Sequence, residues 1–390
     1  MANVGGQQTG KRALVYTSAY RGGASWFVLE MAAGMSAAGG DILLIAPRAE
    51  PEEREQLVAV TRRIELPRGA YGKGSKLARV FRTAGRIAFT FMAFARARRH
   101  ARTYVISFYD WLIVLVLQML WIRLLGGRLI YVVHDAKPHA WASSPAMRWL
   151  ELLLLRATYR LPHELVTLTR SAKDQVKTEF GRRGPVTVIP HGAYATATTL
   201  PSGDRKLLVF GMLRRNKRIL ETIEAVKLAV ASGARVSLTI AGAPHKEDPS
   251  YWDECAACLS GTEAYIHTEI AFIPEPRLDQ LIAECDAVIL PYEEFNSQSG
   301  VAVLAACSER LLLCTAIGGL TELIEQGLDP IVIQRPVTSE SVADAIMRFA
   351  AMPLEELRDK ANASKRALDT YLDWMRIGAE YMALIDCDGA

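Results

Sequence analysis

Short apolar runs alternating with longer helical stretches, in two successive arrays, constrain this chain more than any other feature. In the first array Ala13–Thr17, Ile42–Ala46, Val105–Ser107, Leu129–Val133, Leu165–Thr169 and Val186–Ile189 read as strands. These are continuous β-branched and leucine runs, the pattern expected where helices cover both faces of a sheet. From Gly192 to Asp204 the chain is rich in Ala, Thr, Pro and Gly and reads as a linker. The alternation then resumes with Leu207–Phe210, Val236–Ala241, Ala287–Leu290, Leu311–Thr315 and Ile331–Ile333. Two βαβ arrays imply an α/β protein with two Rossmann-like parallel-sheet domains, and 390 residues suffice for both. We place the domains at 1–195 and 205–370. A last segment, 371–390, carries Trp374, Tyr381 and Leu384 at helical spacing and is expected to pack back on the first domain. Ligands of such sheets bind at the carboxyl ends of the strands, so a cleft faced by the two domains is the expected site.

The charge is placed unevenly. The net charge is only +4, yet between Glu65 and Asp110 there is no acidic residue and ten Lys and Arg. Lys73, Lys76, Arg79, Arg82, Arg86, Arg96, Arg98, Arg99 and Arg102 are interleaved with Phe81, Phe89, Phe91, Met92 and Phe94. A basic, aromatic-bearing amphipathic helix suits an anionic membrane surface. A solvated basic face is the alternative, and without a recognised nucleic-acid module no nucleic acid is expected. The most apolar run, Leu112–Leu125, is short of the ~20 residues that cross a bilayer, so a buried or interfacial helix is expected. Met1 to Gly10 has no apolar signal core, and the six cysteines sit mostly in apolar stretches, which reads as a reducing compartment. The C-x-x-C at Cys255 and Cys258 lacks a second pair at zinc spacing and reads as a helix face.

Chemistry concentrates where strands end. Phe210-Gly211-Met212-Leu213-Arg214-Arg215-Asn216-Lys217 lies between a strand and a helix, where backbone N–H groups and two cations, Arg214 and Lys217, suit a diphosphate leaving group. Tyr292 and the polar run Ser297, Gln298, Ser299, Gly300 and Val301 lead from another strand into a helix, an anion cradle or an ordinary N-cap. Gly318 and Gly319 close a third such unit, where glycine permits close backbone approach. In the first array, Gly22 and Gly23 follow the first strand without forming G-x-G-x-x-G. His134 and Asp135 follow another strand, leading to His139; they suit acid/base or sugar contacts, or a satisfied structural histidine.

Together these segments resemble the GT-B glycosyltransferases of family 4. The H-[DN]-x-x-P-H segment is matched at His134 to His139, I-P-H-G at Ile189 to Gly192, and F-G-x-x-R-x-x-K at Phe210 to Lys217. L-P-Y-x-x-x-x-[ST]-Q-S-G-V is matched at Leu290 to Val301 and G-G-L-x-E at Gly318 to Glu322. The resemblance extends from about residue 13 to 385 and points to the subgroup of bacterial exopolysaccharide and lipopolysaccharide assembly. It implies a hexose moved from a nucleotide-diphosphate sugar, as co-substrate, onto a lipid-linked saccharide. It implies no cofactor and no metal; the one D-x-D, Asp386-Cys387-Asp388, lies in the tail. His134, Asp135, Arg214 and Lys217 would be catalytic. Gly211, Tyr292, Ser297–Val301, Gly318 and Gly319 would join Arg214 and Lys217 around the donor, and Gly22, Gly23, Asp110 and His139 would lie on the acceptor side. The protein is expected in the cytoplasm, peripheral to the inner face of the membrane through residues 73–102.

The chain departs from the family in places. Where the family often has two glutamates eight apart it carries Ser297 and Ala305, where a glycine follows the lysine it carries Arg218, and Ala140 follows P-H. Retention or inversion stays open. A catalytically inactive relative serving as a membrane assembly partner, or another GT-B nucleotide-sugar enzyme, are the other readings.

Overall fold

The computed structural model describes residues 11–19, 22–47, 62–67, 75–109, 111–137, 144–193, 199–245 and 248–385. The chain divides into two compact units, Met1–Gly192 with Trp374–Ala390, and Ala193–Asp373.

The first unit contains β1 (Arg12–Tyr16), α1 (Gly22–Ala37), β2 (Asp41–Pro47), β3 (Arg62–Leu66), α2 (Lys76–Ala97), β4 (Thr103–Ile106), α3 (Leu112–Leu124), β5 (Arg128–Val133), α4 (Pro145–Arg160), β6 (Glu164–Thr167), α5 (Arg170–Thr178) and β7 (Val186–Val188). All its strands pair in parallel, in the order β3-β2-β1-β4-β5-β6-β7. Strand residues alternate between two cores. Leu14 and Tyr16 join Phe94, Leu115, Met119 and Tyr159 beneath α2, α3 and α4, while Ala13 and Val15 join Phe27, Met31 and Met35 of α1. That double coverage is why the central strands carry no polar face.

The second unit contains β8 (Lys206–Phe210), α6 (Ile219–Ala231), β9 (Ser237–Ala241), α7 (Ser250–Ala257), β10 (Ile266–Glu269), α8 (Glu275–Glu284), β11 (Ala287–Leu290), α9 (Gly300–Cys307), β12 (Leu311–Cys314), α10 (Gly319–Glu325), β13 (Ile331–Val332), α11 (Ser339–Ala351) and α12 (Leu354–Tyr371). Its strands repeat the same scheme, β10-β9-β8-β11-β12-β13, all parallel. The segment read as linker is longer in sequence than in structure. Residues 199–204 are bound to the second unit: Pro201 O accepts from Arg358, and the Asp286 carboxylate accepts from Ser202 Oγ and Gly203 N.

The chain then returns to the first unit as α13 (Trp374–Ala383). This helix lies close on α1 because both present glycine at the crossing. A Cβ on Gly378 would stand 2.1 Å from Gly34 C, and one on Gly34 2.2 Å from Trp374 O. Tyr381, Ile377 and Ile385 fill the same core. Cys255, Cys258, Cys285, Cys307 and Cys314 are free thiols, and Cys255 does sit on the buried side of a helix, α7. Among the described residues no helix is long and apolar enough to cross a membrane.

Candidate functional site

In each sheet the connections change direction between two central strands, β1 and β4 in the first and β8 and β11 in the second. Crevices at the carboxyl ends of such strands are where this architecture holds ligands.

In the second unit, β8 runs into Gly211, whose φ is +91°. The next residues follow the neighbouring chain past the end of the sheet, with Gly211 N donating to Ala241 O and Leu213 N to Ala243 O. The approach demands glycine on the other side, since a Cβ on Gly242 would stand 1.9 Å from Gly211 O. A single 3₁₀ turn, Arg215–Lys217, follows and folds the Lys217 ammonium back, donating to Phe210 O at 2.9 Å. Burial of that ammonium, aided by the Arg214 charge, lowers its pKa to about 7. A Cβ on Gly211 would lie 3.1 Å from Lys217 Nζ and 3.9 Å from Val301 Cγ2, so the cation and the start of α9 flank one bare glycine. Arg214 adds its field at Lys217 and at the Tyr292 hydroxyl, and its guanidinium lies beside Met212 Sδ.

Arg215 faces elsewhere. It donates to Asp248 at 2.7 Å and to Glu254 at 2.5 and 2.8 Å, over the ring of Tyr251. The Tyr251 hydroxyl in turn accepts from Ile219 N and Leu220 N. The N-terminus of α6, expected from sequence to offer amides to an anion, therefore spends its first two on a tyrosine. Backbone donors come instead from α9, where Ser299 Oγ caps Ala302 N and the Gly300 and Val301 amides precede the first intrahelical bond. Ser297, Gln298 and Ser299 are buried, and Ser299 bonds the Tyr292 hydroxyl, whose pKa burial raises to about 12. Gly318 serves the loop itself, because a Cβ there would meet Phe295 O at 1.9 Å; Gly319 begins α10 beside it. The structure thus groups Gly211, Arg214, Lys217, Tyr292, Ser299 and Val301, with Gly318 supporting the 295–296 backbone.

In the first unit, His134 follows β5 and shares a 2.8 Å hydrogen bond, through Nε2, with Ser107 Oγ at the end of β4. Its ring stacks on Phe108 at 3.9 Å and meets the edge of Phe27. Burial drives its pKa to about 3, against the pull of Asp135, so it is a neutral imidazole at ordinary pH. His191, buried and held to about pKa 4 by burial, donates from Nδ1 to Gly192 O at 2.7 Å and lies against Phe27 and Trp374. Asp135 is exposed, and Tyr159 donates to Ala136 O at 2.8 Å, holding the turn beside it. Gly22, with φ +68°, opens α1, and Gly23 follows it. Asp110 and His139, with Lys73 and the 386–388 triplet, lie outside the described residues. Sequence reasoning missed Ser107, Phe27 and Phe108 around the histidines, whose only signal was position at strand ends or in an apolar helix, and it saw Trp374 only as part of a packing face. Among the described residues no group of three or more His, Cys, Asp or Glu gathers to hold a metal ion.

Two parallel sheets with the same strand order, each with polar loops at its carboxyl edge, define a GT-B-class α/β protein. The Glycosyltransferase Family 4 model matches residues 21–194 and the Glycosyl transferases group 1 model residues 204–351. The chain belongs to these glycosyltransferase families, the Family 4 domain matching the first unit and the group 1 domain the second. It is 27% identical over 202 residues to the GDP-mannose:glycolipid 4-beta-D-mannosyltransferase of Xanthomonas campestris pv. campestris, covering 49% of this chain and 51% of that one. The match thus spans about half the length of that relative. Among solved structures, Anabaena HepE in complex with UDP and glucose superposes with a TM-score of 0.71 at 16% identity, over 96% of this chain and 99% of that one. WaaG, a glycosyltransferase involved in lipopolysaccharide biosynthesis, gives 0.61 at 14% identity, over 97% and 100%.

Proposed function

We propose that the protein transfers a hexose from a nucleotide-diphosphate sugar to a lipid-linked saccharide in cell-surface polysaccharide synthesis, without a metal or other cofactor. The second unit binds the donor and the first the acceptor. The observation that carries this is the placement of Lys217 Nζ and Val301 on either side of Gly211. The Arg214 charge acts on the same ammonium, and Gly300 and Val301 supply the leading amides of α9. Breaking a glycosyl–phosphate bond leaves a diphosphate whose growing charge needs such donors. The family assignment supports the reaction class, and the Xanthomonas relative's name, a GDP-mannose:glycolipid transferase, supports the lipid acceptor.

His134, being neutral, is assigned to hydrogen bonding with a sugar and is not an acid in the free protein. For an inverting transfer the acceptor hydroxyl needs a carboxylate base, Asp135 or Asp110, of which exposed Asp135 is our first assignment; a retaining transfer needs none, the donor phosphate taking the proton. Asp135→Asn at full activity removes that assignment, and the product anomer read by NMR settles the stereochemistry.

A thermal-shift panel of UDP-, GDP- and dTDP-sugars tests the donor reading. One of them should raise Tm, a ligand at a hundred times its dissociation constant adding ~2.7 kcal/mol. Lys217→Ala should weaken that ligand roughly 10- to 100-fold, the range for a charge-assisted hydrogen bond. A flat panel, with no labelled sugar transferred, would leave the inactive assembly-partner reading in its place.

A further inference from the structure

The helices over one face of the first sheet carry an apolar surface that the transfer chemistry does not use. On α3, Leu115, Met119 and Ile122 face the core, while Ile113, Leu117, Leu120 and Leu124 form a second stripe four, three and four residues apart. That stripe is open to solvent, Leu117 at 51% and Leu124 at 77%. α4 adds exposed Met147, Trp149, Leu150 and Leu153, with Trp149 at 66%, and Trp111 stands exposed just before α3. The two helices are neighbours, and Arg123 donates to Leu161 O at 2.8 Å, joining their carboxyl ends. A helix apolar on two faces is normally covered on both.

Charge decides what covers this one. Residues 66–150 hold fourteen Lys and Arg against two acidic residues, Asp110 and Asp135. Neither α2 nor α3 contains an acid. α2 packs on α3, with Trp121 Nε1 donating to Phe91 O at 3.1 Å and Arg98 Nε to Leu125 O. It presents Arg79, Arg82, Arg96 and Arg99 to solvent beside Leu77, Val80, Phe81 and Met92. Apolar stripes with exposed tryptophans, bordered mainly by arginine with Glu151 the one acid on these three helices, match an acyl layer beneath a plane of negative headgroups.

We propose that the outer face of α3 and α4, flanked by the arginines of α2, docks in the plane of an anionic phospholipid bilayer. Leu117, Leu120, Leu124 and Trp149 enter the acyl boundary while the arginines meet the headgroups. The proposal rests on the lipid-linked acceptor reading for its purpose. It differs in making the apolar stripe, rather than the basic stretch alone, the main contact.

The test uses the full chain with vesicles of phosphatidylcholine, plain or with about a third phosphatidylglycerol, at about 0.15 M and about 1 M salt. Co-sedimentation should favour the mixed vesicles and fall with salt, yet leave a bound fraction in high salt. Brominated lipid should quench wild-type fluorescence more than that of Trp149→Phe. Leu117→Gln with Leu120→Gln should cut partitioning roughly tenfold while the circular-dichroism melt is unchanged, since both side chains are exposed. Undiminished binding by that variant, absence of wild-type binding, or a concentration-dependent dimer abolished by the same variant would overturn the proposal; the last would make the face a self-association surface. A donor thermal shift on the same preparation separates the readings. A shift without vesicle binding removes docking alone, and vesicle binding without a shift removes the transferase reading alone.

Discussion

Lys217 is the residue at which the proposed donor site has the clearest pH signature. With its pKa lowered to about 7 by burial, it is roughly half charged in the free protein near neutrality. On the donor reading proposed above, a bound diphosphate would pair with the ammonium and pull the pKa back up. Binding near pH 8 should therefore take up a proton, and affinity should fall as pH rises above 7, by up to about tenfold per unit until the complex itself titrates. Calorimetry in buffers of different ionisation enthalpy measures the uptake, and Lys217→Met should abolish it. Arg218 is the neighbouring departure from the family, and its backbone is left-handed at φ +51°. The glycine of the family fits that conformation, whereas an L side chain there costs about 1–2 kcal/mol. Arg218→Gly should lie within about 1 kcal/mol of wild type, the strain relieved offsetting lost chain entropy and the partly exposed Glu221 pair. Arg218→Val should lose about 2 kcal/mol in urea melts, because branching at Cβ worsens the same strain.

Among the elements, the central strands were legible and two edge strands were not. β1, β4, β5, β8 and β11 are apolar because helices cover both their faces. β3 reads Arg-Arg-Ile-Glu-Leu and β10 reads Ile-His-Thr-Glu, and both lie at the outer edge of their sheets. An edge strand carries charge that discourages pairing with other chains, and the charge removes the apolar run by which a strand is recognised. The loops after β8 and β11 stood out in the sequence because their polar residues follow strand ends directly. The capping of α6 by Tyr251 was not, because that contact spans about thirty residues and no local pattern reports it. The α1–α13 crossing was half visible: Trp374 and Tyr381 showed a face, but nothing marked Gly34 and Gly378 as its contact. Gly378→Ala should cost about 1–3 kcal/mol by overpacking, measured as a lowered urea midpoint with an unchanged m-value.

For the whole molecule, buried His191 and partly buried His134 set a pH response. Both have folded pKa values below the ordinary 6.5, about 3 for His134 and about 4 for His191. Below pH 6.5 the unfolded chain gains protons that the folded chain refuses, so stability falls on acidification from about 6.5 to 4 for both histidines and on to about 3 for His134, and is fully present above that window. Each histidine contributes a slope of at most about 1.4 kcal/mol per pH unit. Melting temperature should drop across this range, and the slope should be shallower in His191→Phe.

The first unit is discontinuous in the chain, closed by a helix that follows residues 193–373. During synthesis, at the usual 5–20 residues per second, its β-sheet and α1 leave the ribosome roughly 10–40 s before the helix that seals them. Phe27, Met31 and Met35 have no α13 to cover them in that interval, while the second unit emerges complete. The half made first is therefore the half finished last, and it is the nascent chain's point of greatest exposure to chaperones and to aggregation.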